Sequence, residues 1–112
     1  MSAASFHIER SGPGRLSATG ELSFETAAEA LQSGLQLLRQ EPPASIVDLS
    51  GVTEGDSAGV AVLIEWLADA RARDTRLVYE AIPTPMLAIA RLSDIDEILL
   101  RERGEAGKLA GA

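Results

Sequence analysis

The chain has 112 residues, 46% of them apolar, with no cysteine, one histidine and a formal net charge of −7. A length of this order supports one small domain with a single core. Without cysteine there is no disulfide framework or thiolate nucleophile, one histidine excludes a His-rich metal cluster, and the acidic balance opposes Lys/Arg-driven binding to nucleic acid or an anionic membrane.

In chain order, Phe6 to Arg10 and Arg15 to Gly20 are short alternating segments separated by Ser11-Gly12-Pro13-Gly14, the composition of a hairpin turn. From Thr26 the period changes. Ala27, Ala28, Leu31, Leu35 and Leu38 recur at spacings of three and four, which predicts a helix with those residues on one face. Thr26 with Glu29 fits a capping box, and Pro42-Pro43 forbid continuation. Ser45 to Ser50 is a β-branched, apolar strand, and after a short loop a second helix is expected from Ser57 to about Arg73. On a helical wheel its Val60, Leu63, Ile64 and Leu67 form the arc that should pack on the sheet. Arg76 to Ala81 reads as another strand. Thr84-Pro85 supplies an N-cap and first-turn proline for a third helix through about Leu92. Ser93 to Asp96 restarts a short turn that should bury Ile95, Ile98 and Leu99.

Alternating strands and helices of these lengths imply parallel neighbours joined by right-handed crossovers. The expected class is α/β: a single domain with a mixed, mostly parallel sheet of about four strands and amphipathic helices packed on it. Its expected bounds are residues 5–100, between a flexible N-terminus at 1–4 and a mobile tail at 101–112. Met1-Ser2-Ala3-Ala4 lacks the basic and apolar segments of a secretory leader, and the longest apolar run, Val60 to Ile64, is far short of the roughly 20 residues of a membrane span. A cytoplasmic location and protein partners are therefore expected.

Gly55-Asp56-Ser57-Ala58-Gly59 is the stretch that could carry chemistry, because it joins a strand to an amphipathic helix. It matches the Gly-x-Ser-x-Gly pattern of a hydrolase elbow. An elbow turns sharply out of its strand, whereas Gly51 to Asp56 intervene here, and it needs a later histidine as base, whereas His7 precedes the serine. A second reading is architectural: Asp56 or Ser57 caps the helix, and Gly59 lets helix and sheet approach closely. A third is modification. A phosphate on Ser57 would face the free N–H groups and positive dipole end of the helix, and beside Glu54 and Asp56 it would change the charge a partner meets.

From about Phe6 to Leu100 the sequence resembles the STAS domain, the module of anti-sigma-factor antagonists and related regulators. The resemblance lies in Gly20-Glu21-Leu22, Ile46-Val47-Asp48-Leu49-Ser50, Asp56-Ser57-Ala58-Gly59, Leu77-Val78 leading to Pro85, and Leu92-Ser93. In phospho-regulated members the hydroxyl residue directly after the signature aspartate accepts the phosphate, which places that role at Ser57. Ala61 to Trp66 and Ile89 to Ser93 are most similar to the small STAS subunit of the Mla phospholipid-transport ABC systems, which maintain outer-membrane lipid asymmetry in Gram-negative bacteria. That resemblance implies a non-catalytic protein without metal or cofactor, peripheral to the inner membrane through its partner. The partner it implies is the ABC ATPase subunit; the alternative is an anti-sigma kinase with Ser57 as the phosphorylated switch.

Around Ser57 the expected contact includes Asp56 and Gly59 at the helix start, Val62 and Trp66 as an apolar flank, and Asp69 and Arg73 as rim charges. Trp66 has two readings, a partner anchor or a ring folded onto a neighbouring element. His7 reads as an edge-strand residue, Asp48 as a loop-ordering carboxylate, and Asp94, Asp96 and Glu97 as a solvated face without EF-hand spacing. Neither a Walker A loop nor a Gly-x-Gly-x-x-Gly fingerprint is present, which excludes the ATPase itself.

Overall fold

A computed structural model describes residues 4–100, and the element order in it is that of an α/β domain. The elements are β1 (Phe6–Gly12), β2 (Arg15–Leu22), α1 (Ala27–Leu38), β3 (Ile46–Gly55), α2 (Ser57–Ala72), β4 (Val78–Glu80) and α3 (Thr84–Leu92). The four strands form one sheet in the order β1-β2-β3-β4, with β1 antiparallel to β2 and the other pairs parallel. The predicted class, strand number and hairpin are therefore those found. Gly14 takes φ +70° in the hairpin turn, and its carbonyl accepts from Ser45 and Ile46, which fastens the turn to the start of β3.

Strand alternation sorts the sheet into two faces. Phe6, Ile8, Leu16, Ala18, Val47, Leu49 and Tyr79 are buried under the helices. Alternate positions between them carry polar groups, among them an Arg15–Glu80 ion pair at 2.6 Å and an Asp48 carboxylate that accepts from Ser50 N–H at 2.9 Å. That bond holds the Asp48 carboxyl below its ordinary range. Tyr79 is fully buried, its hydroxyl donates to the Leu63 carbonyl at 2.5 Å, and burial pushes its pKa well above the usual phenol value.

Several local expectations are corrected. Thr26 occupies the N-cap of α1, but no capping box forms, because its buried hydroxyl donates to the Glu21 carbonyl at 2.8 Å and accepts from Ser23 N–H at 3.0 Å. The buried line of α1 is Ala30, Gly34 and Leu38, while Ala28 faces solvent. The N-cap of α3 is Pro83, not Thr84. Leu99 is buried and Ile95 packs against the core, but Ile98 is 38% exposed. The expected tail at 101–112, like residues 1–3, lies outside the described residues.

The largest correction concerns α2. Its buried residues are Gly59, Val60, Val62, Leu63, Trp66 and Ala70, so the helix is rotated by roughly 80° from the predicted arc on a wheel of about 100° per residue. The reason is a second contact surface. Besides β3, α2 packs against α1 and α3, and the indole of Trp66 occupies the space where a side chain at Gly34 would stand. Trp66 Nε1 donates to the Leu31 carbonyl at 3.3 Å, and its ring lies 6.2 Å from that of Phe6. A mid-helix glycine is unfavourable by roughly 1 kcal/mol against alanine; here it permits burial of the largest side chain in the protein.

Candidate functional site

At the carboxyl ends of the parallel strands β2 and β3, Leu22 pairs with Gly55, and the chain leaves β3 directly into α2. Of the predicted intervening stretch from Gly51 to Asp56, residues 51–55 are thus the end of the strand and Asp56 is the helix cap. This removes the spacing objection to a hydrolase elbow and leaves the chemical one. His7 lies on β1, where its ring pairs with Glu9 at 2.8 Å, and among the described residues no base bonds to Ser57.

Asp56 is extended (φ −130°, ψ −167°) and forms the N-cap. Its Oδ1 accepts from Ala58 N–H at 2.9 Å and Gly59 N–H at 3.1 Å, satisfying two donors the helix itself leaves free. Its Oδ2 reaches across and accepts from Phe24 N–H at 3.0 Å. One carboxylate therefore ties the β2–α1 loop to the first turn of α2. Gly59 completes the junction, since a Cβ there would collide with the Leu22 carbonyl oxygen. Both architectural expectations, the Asp56 cap and the close approach at Gly59, describe what is seen.

Ser57 is the first helical residue, exposed, and its hydroxyl makes no hydrogen bond within the described chain. It heads the outward stripe of α2, which continues through Ala61, Glu65, Ala68 and Ala72, all exposed. The structure thus brings together Asp56, Ser57 and Gly59. It does not bring the other predicted residues to them. Val62 is 4% exposed and Trp66 0% exposed, so both belong to the core and offer no contact surface; the second reading of Trp66 is the one realised.

Asp69 and Arg73 lie toward the other end of α2, about 18 Å and about 24 Å along the helix axis from Ser57. Asp69, 13% exposed, receives the Arg39 guanidinium at 2.6 Å, and Arg73 donates to the Leu38 carbonyl at the end of α1 at 3.1 Å. The hydrogen bond from Arg39 holds the Asp69 carboxyl below its ordinary range. These charges join α1 to α2.

Sequence reasoning missed Phe24. It is 82% exposed, although its backbone is fixed by Asp56. An apolar residue inside a short polar loop has no period to read, so only the tether reveals that its backbone is held in place. Among the described residues no helix is long and apolar enough to cross a membrane.

Residues 7–102 match the model of the family described as "Mlab, STAS domain". No curated protein matches the sequence. Among solved structures, the anti-sigma factor antagonist SpoIIAA in its unphosphorylated form is similar at 16% identity, with a TM-score of 0.59 over 78% of this chain and 82% of that one. A sulfate transporter family protein from Wolinella succinogenes is similar at 20% identity, with a TM-score of 0.61 over 85% of this chain and 79% of that one. With a family model spanning nearly all the described residues and a fold shared with these structures, the chain belongs to the STAS domain family, whose members are protein-interaction modules.

Proposed function

We propose that this STAS domain binds, and performs no chemistry on, the cytoplasmic ATPase subunit of a phospholipid-transport ABC complex, with Ser57 at the centre of the contact. The observation that carries the reading is the start of α2, where Asp56 satisfies the backbone and leaves the Ser57 hydroxyl exposed and unbonded. A hydroxyl in that state is available as donor and acceptor to a partner, on a frame rigid enough to orient it. The choice of an ABC ATPase rests on the family description that matches the sequence and on the resemblance of Ala61 to Trp66 and Ile89 to Ser93.

Binding one arrangement of the ATPase more tightly than another would bias assembly or turnover by that difference in affinity. Through that complex the protein would sit at the inner face of the cytoplasmic membrane. The test is co-expression of the full chain with the ATPase subunit of the same genome, followed by co-purification and ATPase turnover with and without the chain. Ser57→Ala is expected to weaken the complex while leaving the fold intact. No complex with the wild-type chain would sink the reading.

A second reading is a phospho-switched antagonist of an anti-sigma kinase, favoured by the position of Ser57 at a helix N-terminus, where the positive dipole end favours a phosphate even though Asp56 occupies the Ala58 and Gly59 N–H groups. SpoIIAA, an anti-sigma factor antagonist described in its unphosphorylated form, shares the fold. Here Ser57→Ala would leave the protein permanently able to bind its kinase. The intact mass after incubation with the kinase and ATP separates the two readings: a single added phosphate, absent in Ser57→Ala, favours the switch.

A further inference from the structure

Phe24 stands beside an open depression of about 510 Å³ whose walls include four carboxylates, Glu21, Glu25, Glu54 and Asp56, and no Lys or Arg. None of the four is ion-paired with a described residue, whereas Asp69, Glu80 and Asp96 each face an arginine. No three of the described carboxylates or histidines converge as a metal-binding group, so the charge is not gathered for a cation. A single exposed apolar residue is ordinary on a protein surface. A phenyl ring 82% exposed, with its backbone pinned by a carboxylate and an unneutralised acidic surround, is a more specific arrangement.

We infer that Phe24 and this acidic rim are the docking surface for a cationic protein face, one that offers the ring an apolar socket between lysines or arginines. The surface deepens the function proposed above and rests on it for the identity of the partner. Charge selects the occupant. A second copy would set the same carboxylates against each other, and anionic lipid or nucleic acid would be repelled. A cationic protein is steered inward by the rim, and the ring, entering a dry pocket, supplies the anchor. Asp56 links this surface to Ser57, since its two carboxylate oxygens hold Phe24 and the first turn of α2 together.

The test measures affinity of the full chain for the purified ABC ATPase subunit by calorimetry. Phe24→Ala is expected to weaken binding by about 30-fold or more, with the urea midpoint unchanged because the ring touches little of its own protein. Glu25→Lys combined with Glu54→Lys is expected to slow association by about tenfold at low salt and to flatten its salt dependence. Wild-type affinity in both variants would overturn the docking surface and leave the proposed function standing.

Failure of the wild-type chain to bind would remove the proposed function instead, and a partner-independent probe then decides the surface. A synthetic amphipathic Leu-Lys peptide, titrated while amide NMR shifts are followed, should move Phe24, Glu25, Glu54 and Ser57, and the Phe24→Ala variant should abolish those shifts. Shifts spread over the whole acidic surface, or unchanged by Phe24→Ala, would overturn the inference. So would Phe24-dependent self-association in sedimentation, or Phe24-dependent binding to vesicles of anionic phospholipid.

Discussion

At the first turn of α2 an aspartate holds backbone N–H groups and leaves the neighbouring serine unbonded, whereas near its last turn another aspartate is gripped by Arg39 and Arg73 finishes the end of α1. Both ends carry an aspartate, and residue type does not distinguish them. Their bonding does. At the first turn the carboxylate meets needs of the backbone, so an adjacent side chain stays available to a partner; near the last turn side chains satisfy each other and the surface is closed. One helix thus presents an exposed, unbonded hydroxyl at its start and serves as a structural strut along its inner face and at its end.

The sharpest way to break that division is Trp66→Ala. Removing a fully buried indole is expected to lower stability by about 3–5 kcal/mol, read as the midpoint of urea unfolding; a loss below about 1 kcal/mol would mean the helix is not docked on α1 as described. Next is Gly59→Ala, which presses a methyl group against the Leu22 carbonyl. A loss of about 1–3 kcal/mol is expected from this overpacking, and full stability would show that the first turn can move away from β2. Asp56→Ala removes the cap and the Phe24 tether together, at about 1–2 kcal/mol. It should also speed hydrogen exchange at the Phe24, Ala58 and Gly59 amides; exchange unchanged at Phe24 would sever the link across to the loop.

The end of α2 gives a smaller, pH-dependent signal. Because Arg39 depresses the folded-state pKa of Asp69, the carboxylate contributes stability that is present above its ordinary pKa and lost as pH falls through the folded value. Wild type should therefore lose more stability than Asp69→Asn between pH 7 and about pH 3; parallel pH profiles would count against the pairing. The smallest effect on stability is expected from Ser57→Ala, within about 0.5 kcal/mol, together with the largest loss of partner affinity per unit of stability lost. A substantial drop in the unfolding midpoint would return Ser57 to the structural side of the comparison.

How much of this was legible in the sequence follows from how local each signal is. The hairpin, the strand and helix order and the Asp56 cap depend on neighbours within a few residues, and all are found as read. Resemblance carried the family, whose model matches residues 7–102. The orientation of α2 was not legible, because its apolar residues cover more than half the helix and a wheel then has no unique centre. The cue lay elsewhere in the chain. Gly34, a poor helix former in the middle of a helix, marks a place where another element must come close, and Trp66 is the residue that does. Val62, Trp66, Asp69 and Arg73 shared a side of the wheel with one another, but that side faces α1. Phe24 was invisible because its fixed position comes from Asp56, 32 residues away in sequence.

The contact between the indole and Gly34 also equips the protein with a built-in optical reporter. Trp66 is the only tryptophan in 112 residues, it is fully shielded from water, and its ring neighbour is Phe6, not Phe24. Its emission should be blue-shifted in the native state and move red when α1 and α2 part. A partner seated at Ser57 should leave that colour unchanged, so folding and docking can be followed on separate channels in one cuvette, without a label.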